Sequence, residues 1–127
     1  MNAIKQIVAR LSVKAAKAKH PEIYEVLWGA VNTYGKPIDQ SWTASGPAAS
    51  FKDGSIYIII SDTAGGIEVE ATAEAGEMPI AVILAKNMQE LIQRLRAKAA
   101  KYDKSTKDSL LALAQASFHE LAERLAG

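Results

Sequence analysis

The sequence predicts an α+β fold in the order α-α-β-β-β-β-α-α, an antiparallel β-meander packed against N- and C-terminal helical pairs. Three observations carry it. Ile56-Tyr57-Ile58-Ile59-Ile60 is an unbroken run of β-branched and aromatic residues, bounded by Asp53-Gly54 and Ala64-Gly65-Gly66. Ile67 to Glu74 alternates strictly between small or apolar residues and Glu68, Glu70, Thr72 and Glu74. Helical apolar periodicity is confined to the two ends of the chain. Consecutive strands between segregated helices mark an antiparallel sheet, because parallel strands need helical crossovers.

The first predicted helix is Asn2 to Ala18. Ile4, Ile7, Val8, Leu11, Ala15 and Ala18 make its stripe, and Lys19-His20-Pro21 ends it. Pro21 suits the first position of a second helix, with Glu22 and Glu25 at its positive end. Ile23, Leu27, Ala30, Val31 and Tyr34 form that stripe, with Trp28 beside it. Gly35 supplies the left-handed residue after the last turn, and Pro37 confirms the stop.

Residues Lys36 to Ala49 read as a mobile connection within one domain. Asp39 to Thr43 is a short strand candidate there, broken by Ser45-Gly46-Pro47. Ala48 to Lys52 is expected to pair with the isoleucine run through an Asp53-Gly54 hairpin turn. The isoleucine run itself, lacking alternation, reads as the central strand and as covered on both faces. Because Ile67 to Glu74 has one wet acidic face, helices are expected on one side of the sheet only, so Tyr57 and Ile59, or else Ile56, Ile58 and Ile60, point away from them and are to be covered by the first helix, the Trp42 segment or a second subunit. Pro79 to Ala85 reads as a further buried strand, with Pro79 at its first residue.

Asn87-Met88-Gln89-Glu90 fits a capping box, and Met88, Leu91, Ile92, Leu95 and Ala99 form the stripe of the third helix. Tyr102-Asp103-Lys104 ends it. Ser105 or Thr106 then caps a fourth helix running to about Leu125, with Leu110, Leu111, Ala114, Phe118, Leu121 and Leu125 inward. The short connection predicts an antiparallel helical hairpin.

The 127 residues are expected to form a single α+β domain spanning 1–127, long enough to bury roughly two-thirds of its unfolded surface. With no cysteine, the chain has no disulfide framework, no thiolate metal site and no cysteine nucleophile. Together with the absence of a continuous apolar leader, this places the expected compartment as cytoplasmic. The net charge of +1 conceals a partition. Residues 1–20 carry five bases and no acid, residues 21–80 carry nine acids against Lys36 and Lys52, and residues 81–127 carry eight bases against five acids. Basic helices neutralising an acidic sheet within one molecule is the favoured meaning.

No motif carries catalysis, and the sequence calls for no catalytic residue, cofactor or metal. His119 and Glu123 lie one turn apart, but the zinc-protease pattern needs a second histidine where Glu123 stands. Ser61-Asp62-Thr63-Ala64-Gly65-Gly66 leads into a strand, whereas a phosphate loop leads into a helix N-terminus. Glu68 and Glu70 share a strand face about 7 Å apart, but that face is expected to be wet.

The expected function is that of a small soluble protein-interaction or structural protein, of adaptor, chaperone, immunity or assembly-factor type. Its partner is another protein or a second copy, with homo-oligomerisation expected. Trp28, Tyr34, Trp42 and Tyr57 are the candidate interface or ligand contacts. The main alternative is a small-molecule-binding domain or small enzyme with a pocket between sheet and helices near Trp28 and Trp42. A third reading, nucleic-acid binding, uses a basic patch of Lys5, Arg10, Lys14 and Lys17. It is not favoured, because no aromatic residue interleaves with those bases. A membrane anchor is not expected, since the apolar stripe of the first helix lacks Trp and Phe.

Overall fold

Two tight hairpins build the centre of the protein in the computed structural model, which describes residues 22–42, 45–73 and 78–126, with side chains through residue 115. Strand β2 (Pro47–Asp53) turns through Gly54 and Ser55 into β3 (Ile56–Thr63), with Asp53 opposite Ile56. Gly54 takes φ +63°, the left-handed conformation that two-residue hairpins demand at their first loop position. The turn therefore lies one residue later than Asp53-Gly54. Strand β3 continues through Ala64-Gly65 into β4 (Gly66–Ala73), with Thr63 opposite Gly66. Thr63 Oγ1 closes this second turn, donating to Gly66 O at 2.8 Å and accepting from Gly65 N at 3.2 Å. The glycines of residues 61–66 thus serve a hairpin.

Strand β1 (Asp39–Trp42) pairs with β2, and β5 (Ala81–Ala85) pairs with β4, giving an antiparallel sheet in the order β1-β2-β3-β4-β5. The isoleucine strand β3 is its centre. One helix, α1 (Ile23–Tyr34), precedes the sheet among the described residues, and α2 (Met88–Ala99) and α3 (Lys104–Ala126) follow it.

This corrects the predicted order in two places. The sheet has five strands, not four, and one described helix precedes it, not two; the predicted helix Asn2 to Ala18 lies outside the described residues. The extra strand is β1, the short candidate Asp39 to Thr43 inside the stretch read as a mobile connection, which the predicted order did not count. Asp-Gln-Ser-Trp has no apolar alternation to announce it. It is held by pairing with β2, from Asp39 opposite Ser50 to Trp42 opposite Pro47.

Helix ends follow the expected chemistry with two shifts of partner. Gly35, at φ +93°, donates its amide to Val31 O as α1 ends. Asn87 Oδ1 accepts from Glu90 N at 2.8 Å, but Glu90 Oε1 returns to Lys86 N at 3.4 Å and so reaches one residue further back than in a capping box. Asp103, not Ser105 or Thr106, caps α3, accepting from Thr106 N at 3.4 Å. An acidic side chain there also faces the positive end of the helix.

The core lies between the described helices and one face of the sheet. Phe51, Ile58, Ile60, Val69 and Ile83 from the sheet meet Leu27, Leu91, Leu95, Leu110 and Leu113 from the helices, all fully or almost fully buried. Met88, Leu91, Ile92, Leu95 and Ala99, the predicted stripe, are the buried residues of α2. Gly66 permits the close passage of β4 under β5. A Cβ there would collide with the Ala85 carbonyl, and its φ of +140° is one that L side chains rarely adopt.

Candidate functional site: the open face of the sheet

Side chains alternate across a strand, so register decides which residues share the face away from the helices. In β3, Ile56, Ile58, Ile60 and Asp62 are buried, while Tyr57, Ile59, Ser61 and Thr63 are only half-buried. Of the two alternate sets, Tyr57 and Ile59 are therefore the ones that point away from the helices. In β5, Ala81, Ile83 and Ala85 are buried but Val82 and Leu84 are 47% and 40% exposed. The strand read as wholly buried is an edge strand with one apolar face open.

Register assembles these residues into rows. Ser50, Ile59, Glu70 and Val82 lie side by side across β2 to β5. Ala48, Ser61, Glu68 and Leu84 form the next row. Lys52, Tyr57 and Thr72 form a third on the other side of the first. Ile80, ahead of β5, adds 37% exposure beside that end. Two half-buried acids stand on β4 within this face: Glu70 between Ile59 of β3 and Val82 of β5, and Glu68 between Ser61 of β3 and Leu84 of β5. Thr72 Oγ1 donates to Glu70 Oε2 at 3.4 Å, and Lys52 Nζ sits 5.9 Å from the centre of the Tyr57 ring.

The edge beside this face is guarded. An edge strand offers unpaired main-chain groups to any passing chain. Arg94, from α2, donates through Nη1 to Leu84 O at 2.5 Å, and Glu90 Oε1 holds its other terminal nitrogen at 3.0 Å. One carbonyl of β5 is thereby occupied from within the molecule.

The four aromatic residues singled out by sequence do not come together. Tyr57 alone belongs to the open face. Trp28 and Trp42 are half-buried and pack against the core, Trp42 on the helix-facing side of β1 in line with Pro47. Tyr34 sits in the helix–sheet interface, 5.9 Å from Phe51 between ring centroids. Its hydroxyl donates to Ser109 O at 2.6 Å, and Ser109 Oγ donates to Asp53 Oδ2 at 2.6 Å. This chain ties the end of α1, the first turns of α3 and the β2–β3 hairpin together. Burial, with the nearby Asp53 carboxylate adding to it, pushes the Tyr34 phenol far above its ordinary range. Ser109 is buried and its side-chain partner is a carboxylate, so the chain works as a staple.

Two charged residues that pattern reading missed are buried. Asp62 lies in β3, in phase with Ile56, Ile58 and Ile60, and is fully buried. Gly46 passes against its carboxylate, where a Cβ would overlap Asp62 Oδ2. Glu25 of α1 is 4% exposed. The phase of Asp62 with the isoleucines was the signal available in sequence. The basic patch of Lys5, Arg10, Lys14 and Lys17 lies outside the described residues, and the side chains of His119 and Glu123 lie beyond residue 115. Among the described residues no group of three or more His, Asp or Glu is placed to hold a metal ion, and no helix is long and apolar enough to cross a membrane. Comparison with protein-family models, with curated proteins and with solved structures finds no match.

Proposed function

We propose that this protein acts by binding another protein chain on the open face of its sheet. The observation that carries the proposal is the exposure of Val82 and Leu84 at 47% and 40%, in register with Ile59 and beside Tyr57 and Ile80. Single exposed apolar residues are ordinary, but contiguous ones on a flat face favour contact with a partner. Each gains on the order of 1 kcal/mol when its remaining apolar surface leaves water. The function is therefore read as that of an adaptor or structural partner.

Site-specific photo-crosslinking tests it. Benzoylphenylalanine is placed at position 82 or 84 in cells that express the protein, with position 107 on the exposed side of α3 as control. The expected result is an adduct heavier than the monomer from 82 and 84 and not from 107. Absence of such an adduct, or crosslinks only to residues 1–20 of the same molecule, would overturn the reading.

A further inference from the structure

The class of partner follows from where the acids stand, granted that the open face is a docking surface. We infer that the occupant is a cationic amphipathic chain segment, with an apolar stripe and basic side chains about 7 Å apart. Glu70 lies inside the apolar surface, on β4 between Ile59 and Val82, and Glu68 lies beside it between Ser61 and Leu84. A partner that covers Ile59, Val82 and Leu84 must also cover both carboxylates. Removing a carboxylate from water without a counter-charge costs more than the neighbouring apolar contacts return. The partner must bring cations to that strand.

Spacing limits how. Successive outward residues on β4 are about 7 Å apart. Basic residues two apart on a strand, or four apart on a helix, match it. Among the described residues, the cations on this face do not serve: Lys52 sits over Tyr57 in the neighbouring row, and Lys86 is exposed beyond the end of β5. The same geometry disfavours the other occupants. A second copy stacked with β4 on β4 would set Glu68 and Glu70 against their own counterparts. A phosphate backbone or an anionic bilayer would meet the acids directly.

The test uses the full-length, 15N-labelled protein and two 18-residue amphipathic peptides, one of Leu and Lys and one of Leu and Glu in the same pattern. The Leu/Lys peptide is expected to shift the amide signals of Ile59, Glu68, Glu70, Val82 and Leu84. Its affinity should fall about tenfold in the E68Q/E70Q variant, as expected for two partly exposed ion pairs. It should fall also in V82S/L84S, where both acids remain, which separates a combined site from charge alone. Equal binding of the two peptides, no binding of the Leu/Lys peptide, shifts elsewhere, or unchanged affinity in either variant would overturn the inference. A crosslinked adduct of two identical chains would overturn it too, while leaving the docking reading in place.

Discussion

The two faces of one sheet are built from nearly the same sequence and end in opposite states. On β3 the inward residues Ile56, Ile58 and Ile60 are at most 4% exposed, while Ile59, between two of them, is only half-buried. On β5, Ile83 is fully buried between Val82 and Leu84, which are not. Residue type does not separate them. The described helices pack on one face, and each strand spends alternate residues on the other. An antiparallel sheet can face water on one side, but that side is ordinarily polar. Here it keeps isoleucine, valine and leucine around two glutamates, which is why function is sought there.

The sharpest way to break the comparison is to truncate matched residues on the two faces. Phe51→Ala, at a fully buried position, should cost about 3–5 kcal/mol in urea unfolding. Val82→Ser on the open face should cost under about 1 kcal/mol in the same measurement. Similar losses at both positions would mean that the outer face is structural. Gly66→Ala comes next, at about 1–3 kcal/mol, because its Cβ would meet the Ala85 backbone and neither strand can move away alone. A thermal melt reads it, and an unchanged midpoint would refute the close passage of β4 and β5.

Tyr34→Phe should cost about 1 kcal/mol, the hydroxyl's bond to Ser109 O. It also has a pH signature. The folded phenol titrates above its ordinary value near 10, so it holds its proton where the unfolded chain has lost it. Its contribution is complete below pH 10 and declines as pH rises beyond that. Unfolding free energies compared between pH 8 and pH 11 should fall less steeply in Tyr34→Phe than in the parent. Smallest in stability is Arg94→Ala, at about 1 kcal/mol or less, since the Arg94–Glu90 pair is partly exposed. Its larger effect should be on association. With Leu84 O released, the β5 edge is open, and light scattering across a concentration series should show more self-association than in the parent.

Sequence read the helical half of the core closely. Every residue of the predicted α2 stripe is buried, because a 3.6-residue period leaves one face to choose and that face must pack. Asn87 and Gly35 were also legible, since capping and left-handed φ depend on a few adjacent atoms. Asp39–Trp42 was legible only as a candidate left out of the predicted order, because a short polar strand exists only through its neighbour. The candidate face was half legible. Tyr57 was named in advance, but Val82 and Leu84 were read as interior, since an apolar strand looks the same whether one face or both are covered.

Local pattern was enough for the α+β class, the antiparallel sheet, the central place of the isoleucine strand and the acidic face of β4. Those follow from period and turn chemistry, which are local. Tertiary structure alone decided which alternate isoleucines look outward, that Asp62 is buried, that Tyr34 is a staple, and that β5 is an edge with an open apolar face. These depend on where the helices settle. Helix placement answers to the summed packing of many distant residues, a quantity that no short stretch of chain contains.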